Sequence, residues 1–213
     1  MRTPLHLHLA VVLLAAATGG CALVGGSKSD TTVYAPDPRI AADPAWPTVR
    51  WQLAIDHPEA ARMVDSLRIA VRPTPAELEV YKGATWGKTP SEQLEDTLLR
   101  GLEDSQKIAA VAREGTGLVP DYTLVTDLRR FEADYAGGAV PRATIEVNAK
   151  LLHTPGQDIV ASRTFLQAVP AAATAMPQVA QAFEQALGAI GHDIAGWTLT
   201  QGEAHQQQHA TGH

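Results

Sequence analysis

His205, His209 and His213 are spaced four apart at the end of the chain, the interval at which zinc-binding histidines share one face of a helix. Gln206-Gln207-Gln208, Thr211 and Gly212 stand between them, and nothing apolar is present to hold a helix. The composition therefore reads as a disordered His/Gln-rich tail over 201–213 with weak adventitious metal affinity and no metal site; a structural site is the alternative. His57, His153 and His192 lie beside turn signals or a helix end, positions that suit exposed or capping imidazoles better than proton transfer. Arg129-Arg130 before Phe131 offers anion-binding chemistry. Neighbours on a strand point to opposite faces, however, which favours ordinary ion pairs with Asp127 or Glu132. The chain has no glycine-rich phosphate loop and no G-x-S-x-G elbow. These residues imply no catalytic group, no cofactor and no enzyme.

Cys21 is the single cysteine, so it has no partner for an internal disulfide. Before it, Arg2 gives a small positive start and Leu9 to Ala17 a short apolar run, followed by Thr18-Gly19-Gly20. The run is shorter than the about 20 residues of a membrane-spanning helix and fits a signal peptide over 1–20. The junction resembles a bacterial lipobox, with Thr18 where such boxes usually carry Leu. That resemblance implies that Cys21 is acylated and becomes the new amino terminus; an ordinary secretory signal cut nearby is the alternative. Acylation would also remove a free thiol from an oxidising compartment. Ala22 follows the cysteine in place of the Asp that marks inner-membrane retention, which by resemblance to that sorting rule implies the periplasmic face of the outer membrane. Residues 21–47, small and polar and then proline-punctuated, read as a lipidated flexible tether.

The formal charge of −6 disfavours nucleic-acid partners. No apolar run of spanning length follows the signal, and 48–200 is of a size for one domain with a real core.

Around these residues the patterning predicts alternating strands and two helices. Val49 to Ile55 and Leu67 to Arg72 alternate, and Glu77 to Tyr81 reads as a short edge strand. Lys82 to Lys88 reads as a loop in which Trp86, between Gly83 and Gly87, is either a contact anchor for a partner or a lid on the core; Trp46 has the same two readings. Thr89-Pro90-Ser91-Glu92 spells a capping box with proline at the first helical position. It opens a helix to about Asp104 with Leu94, Leu98, Leu99 and Leu102 buried and Glu92, Glu95, Asp96 and Arg100 wet. Ile108 to Ala112 is a further strand. Tyr122 to Phe131, Arg142 to Leu152 and Ile159 to Leu166 form a meander. Pro177 to about Trp197 is a helix with Val179, Phe183, Leu187, Ile190, Ile194 and Trp197 on its stripe. Gly188 and Gly191 weaken it by ~1 kcal/mol each, so packing must hold it. The fold class is an α/β sandwich of a mixed, mostly antiparallel sheet with packing helices.

The chain resembles the ABC-type transport auxiliary lipoproteins, the PqiC/YmbA-like family, over about Val49 to Leu199 and in its lipid signal. The residues that carry the resemblance are Leu67-Arg68-Ile69-Ala70-Val71, Tyr81 to Trp86, the helix Leu94 to Leu102, Asp121-Tyr122-Thr123-Leu124 and Leu128 to Phe131. Ala161-Ser162-Arg163-Thr164-Phe165 and Ala182-Phe183-Glu184-Gln185-Ala186-Leu187 follow, ending on Trp197. It implies a fold similar to the anticodon-binding-domain-like sandwich of the TolB amino-terminal domain. It also implies a periplasmic, non-enzymatic subunit that accompanies an MCE-domain protein, a permease and an ATPase in lipid trafficking and membrane integrity. Docking is expected at a sheet edge or aromatic loop around Glu77 to Trp86, with Tyr81 and Trp86 as partner-binding residues. An unpaired strand edge would also permit a homo-oligomer. A structural envelope lipoprotein without a transporter partner is the alternative function.

Overall fold

The computed structural model describes residues 30–210; Cys21, most of the expected tether and His213 lie outside them. The chain divides into two units, Met1–Asp30 and Thr31–His213, and the second contains all the elements described here. In order these are β1 (Thr32–Tyr34), β2 (Gln52–Ile55), β3 (Glu59–Ala60), β4 (Arg68–Arg72), β5 (Glu79–Trp86), α1 (Pro90–Ser105), β6 (Ala110–Arg113), β7 (Tyr122–Asp134), β8 (Arg142–His153), β9 (Asp158–Pro170) and α2 (Met176–Ala210).

The sheet is mixed and is organised on β7. One edge of β7 pairs antiparallel with β8 along its length, and β8 pairs antiparallel with β9. The other edge is shared by short parallel ladders: β2 at Tyr122–Leu124, β3 at Asp127–Leu128 and β4 at Ala133–Asp134. From there β6 adds parallel to β2, and β5 adds antiparallel to β4 with β1 beyond it. The long ladders are antiparallel because they come from the meander, whose period-2 alternation is the clearest in the sequence. Ile145, Val147, Ala149 and Leu151 are all buried, as that alternation requires.

Both helices pack on the sheet. Thr89 caps α1 by the expected capping box: its side chain accepts from the Glu92 amide while the Glu92 carboxylate accepts from the Thr89 amide. Leu94, Leu98, Leu99 and Leu102 are buried as expected. Glu95, expected on the wet face, is only 6% exposed because His57 and Arg113 close over it. On α2, Val179, Phe183, Leu187, Ile190 and Ile194 are buried. Phe183 stacks on Phe131 at 4.9 Å and meets Trp86 edge-on at 5.1 Å.

Residues 32–47 are not tether. β1 pairs with β5, and the chain beyond it fills gaps that glycines leave on the helices. A Cβ on Gly191 or Gly101 would collide with Ile40 Cδ1 at 2.7 or 2.6 Å, one on Gly196 with Trp46 Nε1 at 2.4 Å, and one on Gly202 with Trp51 Cζ2 at 2.4 Å. The glycines that weaken α2 locally thus admit the segment that packs it. Lys82 to Trp86 is strand rather than loop, with Gly83 taking a left-handed φ of 69° inside β5. A bulge between Leu128 and Arg130 inserts one residue into β7. It places both arginines on the face of Glu146, where alternation alone would have split them. Arg129 reaches Asp127 at 3.0 Å and Glu146 at 3.9 Å, and Arg130 reaches Glu132 at 2.7 Å.

Candidate functional site

The expected docking region lies on β5. Its Ala84–Trp86 segment is covered by β1, and β4 pairs with the opposite edge of β5. Among the described residues no strand covers the outer edge from Glu79 to Gly83, where Glu79, Val80, Lys82 and Gly83 are exposed. Unpaired backbone groups on an exposed edge are a template for strand addition.

Tyr81 lies within this edge, half-buried against the core. Burial, and then the neighbouring Tyr135, hold its phenol well above the usual tyrosine range. Trp86 is 2% exposed, its indole set edge-on against the stacked Phe131 and Phe183 rings. An indole so enclosed cannot touch a partner, so the lid-on-the-core reading replaces direct contact. Trp46 is likewise buried at 8%, against the His192 ring at 4.8 Å.

Several charged groups elsewhere among the described residues are paired with one another. Glu132, a buried carboxylate on the outer face, accepts two bonds from Arg72 at 2.8 and 2.9 Å and one from Arg130 at 2.7 Å. The Arg129-Arg130 pair is thus spent on ion pairs. A cavity of about 680 Å³ beside α1 is lined in part by Asp37, Lys88, Asp96, Arg100 and Arg113. Lys88 and Arg113 both hold Asp96 at 2.5 Å, and Arg100 holds Asp37. His57 binds Glu95 at 2.8 Å. This arrangement has no activated nucleophile.

The opposite end of β7 meets a stretch of chain whose local composition carries no helical signal. Residues 201–210 are not a disordered tail but continue α2. His205 binds the Tyr122 hydroxyl at 2.8 Å, and the rings of His153, His205 and His209 gather beside it. Burial, then His209, then His153 pull the His205 imidazole below its usual range. A signal was present at longer range. Thr198, Gly202, His205 and His209 continue the stripe of α2 at helical spacing, with Thr198 and Gly202 buried. Small and polar residue types hid it.

Among the described residues, no helix is long and apolar enough to cross a membrane. A search of curated proteins finds no match. Among solved structures, the chain is similar to a Xanthomonas campestris protein described by the family DUF330. The two share 53% identity with a TM-score of 0.81, over 83% of this chain and 99% of that one. An uncharacterized protein shares the fold alone, with 15% identity and a TM-score of 0.61 over 78% of this chain and 97% of that one. The model of the family described as the ABC-type transport auxiliary lipoprotein component matches residues 32–195, beginning at β1 and ending within α2. The chain belongs to the ABC-type transport auxiliary lipoprotein family.

Proposed function

We propose that the protein is the lipid-anchored periplasmic subunit of an MCE-type ABC transport system, holding that system at the outer membrane for lipid trafficking and membrane integrity. The family match over 32–195 carries this reading. The lipid on Cys21 fixes one end at the membrane, and residues 21–31 supply the reach. The folded unit presents the β5 edge from Glu79 to Gly83, with Tyr81 half-buried against the core within it. The partner is the MCE-domain protein, with the permease and ATPase behind it, and an extended segment of that partner adds to the edge by backbone pairing. The ion pairs that hold Asp37, Glu95 and Asp96 around α1 fit a docking role better than catalysis.

Affinity capture of the acylated protein from crosslinked cell envelopes tests this, with Cys21→Ala as the control. Enrichment of an MCE-domain protein and its permease, lost in the control, supports both the partner and the anchor. Recovery of outer-membrane or cell-wall proteins alone would instead favour a structural envelope lipoprotein.

A further inference from the structure

The β8–β9 turn and the end of α2 bring four metal-ligating side chains to one place. His153 closes β8 and Asp158 opens β9, and α2 contributes His205 with His209 one turn later. One donor atom each from His153, Asp158 and His205 lies within 4.8 Å of the other two. The His209 ring is 4.2 Å from that of His205 and 5.8 Å from that of His153. We propose that these four residues form a binding site for a late first-row divalent cation, Zn²⁺ above all.

The donor chemistry selects the ion. Three imidazoles and one carboxylate suit zinc and its neighbours and are foreign to calcium and magnesium, which take oxygen donors. Metal–ligand bonds of about 2.0–2.1 Å place tetrahedral donors about 3.3–3.4 Å apart. The donors of His153, Asp158 and His205, within 4.8 Å of one another, therefore need to shift by only about an ångström to reach that geometry, and the His209 ring stands beside them.

The surroundings are arranged as a metal site needs. A ligating histidine commonly anchors its second nitrogen on a protein acceptor, which fixes the ring. His209 Nδ1 lies 3.2 Å from the His205 carbonyl oxygen and His205 Nδ1 lies 2.8 Å from the Tyr122 hydroxyl, so each can present Nε2. His153 Nδ1 stands 3.5 Å from Asp158 Oδ1. Gly156 makes room for both of these: a Cβ there would lie 2.2 Å from Asp158 Oδ1 and 2.9 Å from His153 Nδ1. A side chain at 156 would push two ligands aside.

Four protein donors leave no open position, which is the arrangement of structural rather than catalytic zinc. The ion ties the last turns of α2 to the β8–β9 turn, adding to the ring contacts that His205 and His209 make with His153. Metal binding to the folded state alone raises its stability by mass action.

The test uses the full chain purified without a histidine tag, titrated with Zn²⁺ against a chromophoric chelator and separately with Co²⁺. The expected result is one ion per chain, a rise in melting temperature with Zn²⁺, and the intense visible bands of tetrahedral Co²⁺. Asp158→Asn and His209→Ala each weaken binding by ~10-fold or more. Both residues are exposed, so these variants keep the fold, which circular dichroism without metal verifies. His153→Ala and His205→Ala abolish the Co²⁺ bands. Affinity unchanged in Asp158→Asn and His209→Ala, or lost instead in His57→Ala or His192→Ala, overturns the site, as does the absence of stoichiometric binding.

Discussion

Trp46 lies across α2 at Gly196, so close that a Cβ on that glycine would sit 2.4 Å from the indole Nε1 and 2.9 Å from Cε2. The indole is rigid and 8% exposed, so it cannot swing aside as a flexible side chain would. Gly196→Ala should therefore destabilise the protein despite alanine's better helix propensity. The loss should be about 1–3 kcal/mol, the usual cost of overpacking, read from urea or thermal unfolding. An alanine that stabilised the chain by its propensity gain alone would show that Trp46 is not held against the helix.

The Glu132 carboxylate is 2% exposed and holds two guanidinium groups. Glu132→Gln removes the charge that both arginines face. Arg72 and Arg130 keep some water contact, so the loss should be about 3 kcal/mol, at the low end for a broken buried pair. Unfolding of Glu132→Gln beside Asp127→Asn, an exposed partner of Arg129, checks it; the second change should cost under ~1 kcal/mol.

Glu114 has a carboxyl raised above its usual range, first by a hydrogen bond with Asp56 and then by the charge of Asp56. Because the folded state holds this proton more tightly than the unfolded chain, its contribution to stability is full below the ordinary glutamate range. That contribution is lost as pH rises through the raised value. Carboxyl carbon NMR titration should find Glu114 titrating high in the native chain and at an ordinary position in Asp56→Asn. An unchanged titration in that variant would remove Asp56 as the cause.

What the sequence discloses depends on how far its signals reach. The capping box at Thr89 to Glu92 is spelled within four residues and was legible, as was the alternation of β8. β1 was not, because Thr32–Tyr34 is too short to show a period and its partner, Ala84–Trp86, is 52 residues away. Trp86 carried an ambiguity that only its neighbours settle: Gly83 and Gly87 suggest a loop, but Phe131 and Phe183 enclose the ring. The end of α2 was hidden for a related reason. Its glutamines and histidines have no apolar stripe, and the residues that receive His205, namely Tyr122 and His153, come from two other strands.

Site-specific photocrosslinking in living cells reads out whether the β5 edge docks an MCE-domain protein, as proposed. A photoreactive residue placed at Val80, 37% exposed on that edge, should yield an adduct with the MCE-domain protein. The same group at Val119, 84% exposed ahead of β7, should not. Adducts from Val80 with outer-membrane or cell-wall proteins alone, or MCE adducts equally strong from Val119, would rule out docking at this edge.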